Sequence, residues 1–136
     1  MTDWFARPIL NVTDVEASLR FYVHQLGFTS PWRYDDGKAL VAQVERQGTA
    51  LILAGNWPDQ VGKGLIFISL NVEPETPEAL TVALDELRAE FQARGVTVKD
   101  GRWGYHLLNV TDPDGNQLLF NYAADNESGK TEADQP

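Results

Sequence analysis

The chain repeats itself, and the repeat constrains the fold more than any other feature. Leu10-Asn11-Val12 returns as Leu70-Asn71-Val72, an offset of 60 residues. Each triplet ends a strand-like segment, residues 6–12 and 65–72, and each is followed by a helical pattern. The first helix is predicted to open after Thr13-Asp14, where a short oxygen-bearing side chain caps free backbone N–H groups. Its apolar stripe is Val15, Leu19, Tyr22 and Leu26. The second opens around Pro77-Glu78, proline being tolerated in a first turn, with the stripe Leu80, Leu84, Leu87 and Phe91. Both stripes follow one face of a 3.6-residue helix. Both end at a glycine, Gly27 and Gly95, the residue suited to a left-handed stop.

The parts after each glycine match as well. Residues 28–34 and 96–103 each give a short strand, and 38–46 and 105–112 a longer one. A turn then leads into a last strand: Gln47-Gly48 into 49–54, and Pro113-Asp114-Gly115-Asn116 into 117–122. Proline fixes φ and glycine takes the positive-φ site, which is sound turn chemistry. The order is βαβββ twice, an α+β fold, with residues 55–64 as the connection. The expected organisation is one domain over 1–122, with modules 4–54 and 65–122. A βαβββ module covers only one face of its sheet, so the modules are expected to pair around a cavity between their curved sheets.

Charge narrows the partners. The formal net charge is -9, of which the polar tail 123–136 supplies -3; that tail is expected to be disordered. An acidic body repels phosphate backbones and anionic lipid, which argues against nucleic-acid and membrane partners and favours a cationic small molecule. The acidity has a plainer reading as a solubility device. Zero cysteines exclude a disulfide frame, a thiolate nucleophile and a cysteine-ligated zinc site, and agree with a cytoplasmic setting. No apolar run suggests a signal peptide or a membrane span.

Three segments together carry a family resemblance: Asn11-Val12-Thr13-Asp14-Val15-Glu16-Ala17-Ser18-Leu19-Arg20-Phe21-Tyr22, then Leu26-Gly27-Phe28, and Val110-Thr111-Asp112-Pro113-Asp114-Gly115-Asn116. Over residues 4–122 the chain resembles the vicinal-oxygen-chelate superfamily of glyoxalase, bleomycin-resistance and dioxygenase proteins. Ala6-Arg7-Pro8-Ile9-Leu10 and Trp103-Gly104 look most like its bleomycin-resistance branch. The resemblance implies a glyoxalase-like fold and a homodimer, with Pro8 similar to the hinge of an amino-terminal arm.

Metal-dependent members of that superfamily hold a divalent ion with His or Glu from the first and last strand of each module. Carried over residue by residue, those places fall on Arg7, Ile52, Phe67 and Leu119, none of which ligates a metal. A shift of one residue brings in only Ala6 or Pro8, Leu51 or Leu53, Ile66 or Ile68, and Leu118 or Phe120. The expectation is therefore no metal and no other cofactor. His24 reads as a surface side chain and His106 as structural or ligand-contacting.

Other catalytic patterns are missing. Gly62-Lys63-Gly64 lacks the rest of a phosphate loop, and Ser18, Ser30 and Ser69 lack a nucleophile-elbow context. Asp35-Asp36 reads as a turn before Gly37 or as the rim of a cavity. Trp32 and Trp103 occupy comparable places in the two modules, whereas Trp4 and Trp57 read as packing residues. A tryptophan face attracts a planar cation by about 0.5–2 kcal/mol. The candidate ligand-binding residues are thus Trp32, Trp103, Tyr105, Phe67, Arg7, His106, Asp35 and Asp36. The function that follows is metal-independent binding of a planar, cationic small molecule of the bleomycin type. The alternative is a glyoxalase-like lyase or an extradiol-dioxygenase-like enzyme, including a metal-free one using Arg7, Tyr105 or His106. Fold alone does not choose between them.

Overall fold

A computed structural model describes residues 2–35, 37 and 39–123 of the chain. The elements run β1 (Ile9–Asn11), α1 (Val15–Leu19) continued by a π-helical stretch (Arg20–Gln25), β2 (Thr29–Asp35), β3 (Ala39–Arg46), β4 (Thr49–Ala54), a 3-10 turn (Pro58–Gln60), β5 (Leu65–Ile68), α2 (Pro77–Ala93), β6 (Val98–Arg102), β7 (His106–Thr111) and β8 (Gln117–Asn121). The strands form two four-stranded sheets, ordered β1-β4-β3-β2 and β5-β8-β7-β6. The expected βαβββ order is present twice.

The first strand of each module is shorter than its sequence pattern predicts. Strand β1 covers only the end of 6–12, pairing in parallel with β4 through Ile9↔Ile52, Leu10↔Leu53 and Asn11↔Ala54. Pro8 ends this ladder on its amino-terminal side: its carbonyl accepts from the Ile52 N–H at 2.9 Å, but it has no N–H to donate. Strand β5 likewise stops at Ile68, not at residue 72.

By compactness the chain forms two units. One runs through Ile66 and takes in Thr111–Gln117; the other holds Phe67–Val110 and resumes at Leu118.

In the first unit the helical stripe packs on one face of the sheet. Val15, Leu19, Tyr22 and Leu26 are all buried, with Leu10, Ala42, Val44, Leu51 and Leu53 beneath them. Asp14 caps α1 by accepting from the Glu16 and Ala17 backbone N–H groups, worth about 1 kcal/mol. The helix loosens into π geometry after Leu19, with the Leu26 N–H reaching the Phe21 carbonyl at 3.1 Å. The widened turn lets both Phe21 and Tyr22 be buried, their rings meeting edge to face at 5.3 Å.

The turn that follows β7 is a structural knot within this unit. Buried Asp112 accepts from the Asp114 and Asn116 backbone N–H groups at 2.9 Å each and from the Asn116 side-chain amide at 3.0 Å. It also accepts from the Tyr22 hydroxyl at 3.0 Å. Asn116, itself fully buried, donates to the Asn11 carbonyl at 3.1 Å and accepts from the Gly64 N–H at 2.7 Å. Gly62 admits no side chain here: at φ +77° an added Cβ would lie 2.2 Å from the Asp114 carbonyl oxygen. The Gly62-Lys63-Gly64 run therefore serves close backbone approach.

In the second unit, α2 is capped by Thr76, whose hydroxyl accepts from the Ala79 N–H at 3.1 Å. Leu84 and Phe91 are buried with Leu108, Val110, Leu118 and Phe120. Leu80 and Leu87, the other two residues of the stripe, are half-buried. Phe91 meets Phe120 at 6.1 Å between ring centres. Among the described residues no helix is long and apolar enough to cross a membrane. The expected disorder of the tail falls outside the described residues, apart from Ala123.

Candidate ligand-binding faces

Each sheet has one face turned to its helix and one turned away. In the first sheet the register puts Trp32 opposite Gln43, Gln43 opposite Ile52 and Ile52 opposite Ile9. Their neighbours in the strands, Ala42, Leu53 and Leu10, are buried on the helix side. Alternation along a strand therefore assigns Trp32, Gln43, Ile52 and Ile9 to the helix-free face.

Trp32 reaches that face because of a bulge. Thr29 pairs with Glu45, and the next pair is Trp32 with Gln43, so Ser30 and Pro31 together stand opposite Val44 alone. Without the extra residue Trp32 would stand opposite Ala42 and turn toward the helix, since a slip of one residue flips every side chain. The Ser30 hydroxyl pins the bulge by donating to the Gln43 carbonyl at 2.8 Å.

Gln43 organises the polar part of this face. It is only 7% exposed. Its side-chain oxygen accepts from the Arg7 guanidinium at 2.8 Å and from the Trp32 indole N–H at 3.1 Å. Its amide nitrogen donates to Glu45 at 2.6 Å. Arg7 also lies 5.8 Å from the centre of the Phe5 ring. Trp32 keeps 41% of its surface exposed, and Tyr34 further along β2 is more open still. The sequence reading named Arg7 and Trp32 but missed Gln43. Its signal was faint: one polar residue in the alternating segment Ala42-Gln43-Val44.

In the second unit Phe67 and Trp103 come together, ring centres 5.6 Å apart and edge to face. Phe67 is 42% exposed and Trp103 66%. Tyr105 is also partly open, and its carbonyl accepts from the Trp103 N–H at 3.0 Å, closing the turn around Gly104.

His106 belongs to a different group. It pairs across the ladder with Arg102, in the same alternation as buried Leu108 and Val110, which puts it on the helix side. Its Nε2 lies 2.7 Å from Asp100, and its ring stacks on Tyr122 at 4.3 Å. Arg88 of α2 donates to Asp100 at 2.7 Å and to the Tyr122 hydroxyl at 3.2 Å, and Tyr122 donates to Asp85 at 2.9 Å. The His106 and Arg88 hydrogen bonds hold the Asp100 carboxyl below its usual range, while burial pushes the Tyr122 hydroxyl up. These bonds tie β6 and β7 to α2. Among the described residues no group of three or more His, Cys, Asp or Glu side chains could hold a metal ion.

The remaining candidates separate further. Asp35 is exposed at the end of β2, bonded to Arg33, which also pairs with Glu16. Asp36 lies outside the described residues. His24 is exposed, as expected. Trp4 and Trp57, expected to pack, are 95% and 51% exposed. The reason is local: Trp4 precedes the first strand, and Trp57 sits before the 3-10 turn, so neither has a strand or helix face to direct it inward. An open pocket at the start of α2, lined by Leu70, Val72, Thr76, Pro77 and Leu80 among others, takes in none of the expected residues.

With this geometry in view, similarity to known proteins can be placed. The model of the Glyoxalase/Bleomycin resistance protein/Dioxygenase superfamily matches residues 3–120. A glyoxalase/bleomycin resistance protein from Streptomyces sp. CB03234 is 25% identical, with a TM-score of 0.60 over 85% of this chain and 99% of that one. The bleomycin-binding protein of Streptomyces verticillus, solved with copper(II)-bleomycin, is 23% identical, with a TM-score of 0.64 over 90% and 99%. Lactoylglutathione lyase from Agrobacterium tumefaciens is 19% identical, with a TM-score of 0.63 over 88% and 93%. The last two likenesses, both below 25% identity, are likenesses of fold. No protein of curated function matches the sequence. The match over nearly the whole length of the chain, with the βαβββ order found twice, makes it a member of the glyoxalase/bleomycin resistance protein/dioxygenase superfamily.

Proposed function

We propose that the protein binds a planar small molecule, cationic overall, against the open aromatic surfaces of its units and does so without a metal. The observation that carries this reading is the pair of half-open tryptophans, Trp32 and Trp103, each held by a neighbour: Trp32 by Gln43, Trp103 by Phe67. An indole fixed in place offers a flat surface at little entropic cost. The net charge of -9 favours a cation at long range. The bleomycin-binding protein of Streptomyces verticillus supports a ligand of that type, since it shares this fold. Arg7, Ile52, Phe67 and Leu119, at the places where metal-dependent members carry ligands, favour binding over the metal-assisted lyase or dioxygenase reading.

The test is a fluorescence titration of the purified protein with bleomycin and with simple planar cations, at low and high salt. Saturable quenching with micromolar or tighter affinity supports the reading. No saturable change with any planar ligand overturns it.

A further inference from the structure

We propose that Arg7 makes the Trp32 face selective for a ring bearing an oxygen acceptor at its edge, a carboxylate above all, and that Gln43 is the positioning residue that sets this selectivity. The inference rests on the binding reading above and specifies which part of a ligand this face takes.

The argument starts from one oxygen. Gln43 Oε1 accepts both the Arg7 guanidinium and the Trp32 indole N–H, at 2.8 and 3.1 Å. It thus removes the only donor of the indole from play and fixes the guanidinium beside the indole. Gln43 itself cannot swing away, being 7% exposed and tied to Glu45 by its amide nitrogen. Among the described residues Arg7 makes no other hydrogen bond; its remaining contact is the Phe5 ring at 5.8 Å. Arginine has five N–H donors and no acceptor. The donors left over are open to solvent next to an exposed aromatic face.

A ring stacked on Trp32 therefore meets a fixed positive charge at its edge. A cationic edge is repelled there, whereas a carboxylate or amide oxygen gains a charge-assisted hydrogen bond. Glu45 keeps its charge while it accepts from the Gln43 amide and lessens the repulsion of a cation, so the preference rests on the open Arg7 donors, which an oxygen can meet and a cation cannot. A ligand that is cationic overall then carries its positive charge away from Arg7.

Two probes with one ring system test this: quinoline-2-carboxylate and N-methylquinolinium, titrated calorimetrically into wild type, Arg7→Met, Gln43→Leu and Trp32→Ala. The wild type is expected to bind the carboxylate about tenfold more tightly than the cation. Arg7→Met erases that preference, and Trp32→Ala weakens both probes. Gln43→Leu frees the indole as well as the guanidinium, so it weakens both probes but the carboxylate more, narrowing the preference, which a merely structural role would leave intact. Arg7 is exposed, so its variant decides the matter whatever Gln43→Leu does to folding. Equal or tighter binding of the cation, a preference that survives Arg7→Met, or affinities indifferent to Trp32→Ala each overturn the proposal. If both probes bind without preference, the planar-ligand reading stands and this inference falls. If neither binds, this inference falls, and the bleomycin titration alone decides the planar-ligand reading.

Discussion

The Tyr22 hydroxyl donates to the Asp112 carboxylate at 3.0 Å across 90 positions of sequence. This bond joins the first helical segment to the turn after β7, and Asn116 extends the same network to Asn11 and Gly64. The Asp-Pro-Asp-Gly-Asn turn is thus a brace. Its acids hold backbone and side-chain donors, and Tyr22 with Asp112 is enclosed.

Removing either side of that bond should be costly. Tyr22→Phe is expected to lose about 1.5–3 kcal/mol of stability, the range for a hydrogen bond to a charged group. Asp112→Ala should lose more, because it also strands the Asp114 N–H, the Asn116 N–H and the Asn116 amide. Denaturant melts of both variants measure this directly. A pH dependence follows. Burial first, then the Asp112 charge, pushes the Tyr22 ionisation above its ordinary value of 10.0. The phenol is therefore neutral in the folded state where an unfolded one would ionise. That contribution is complete below about pH 10 and is lost as pH rises beyond it. The alkaline limb of a stability–pH curve should flatten in Tyr22→Phe; an unchanged limb would count against the buried phenol.

Trp32→Ala and Trp103→Ala should each weaken a planar ligand by about 1–3 kcal/mol, as expected of aromatic anchors. Melting temperatures should move less, since both residues keep a large exposed surface. Affinity and melting curves on the same variants separate the two roles. If both unfold readily while their folded fraction binds like wild type, the tryptophans are packing residues.

Elemental analysis of protein purified without chelator should give well under one equivalent of any divalent metal. The expectation rests on Arg7, Ile52, Phe67 and Leu119 at the four ligand places. A tightly held stoichiometric ion would overturn the metal-independent reading.

A homodimer is expected in solution. Trp4 and Phe5 lie almost fully open ahead of Pro8, where the β1 ladder ends. Apolar residues on an unpaired arm are the kind a second copy covers. Sedimentation equilibrium should report twice the 15.2 kDa chain mass at micromolar concentration. Deleting residues 2–6 should weaken the dimer, and a purely monomeric wild type would defeat the expectation.

What the sequence determined by itself was local. Asp14, Thr13 and the stripe Val15, Leu19, Tyr22, Leu26 announce a helix because capping and side-chain spacing act within a few residues. Gly27 and Gly95 mark its end and that of α2 because a positive φ is a one-residue requirement, which both meet. The offset of 60 between the two triplets carried the βαβββ order. The tertiary structure decided what depends on register. Trp32 faces away from the helix only because Ser30 and Pro31 bulge opposite Val44, and no alternation in residues 29–35 announces that. Gln43 meets Arg7 from 36 positions away, and His106 turns to Asp100 and Tyr122 instead of joining Trp103. The first strands end short of their hydrophobic pattern for the same reason: that pattern reports what a strand can bury, whereas its length is set by the partner that supplies hydrogen bonds.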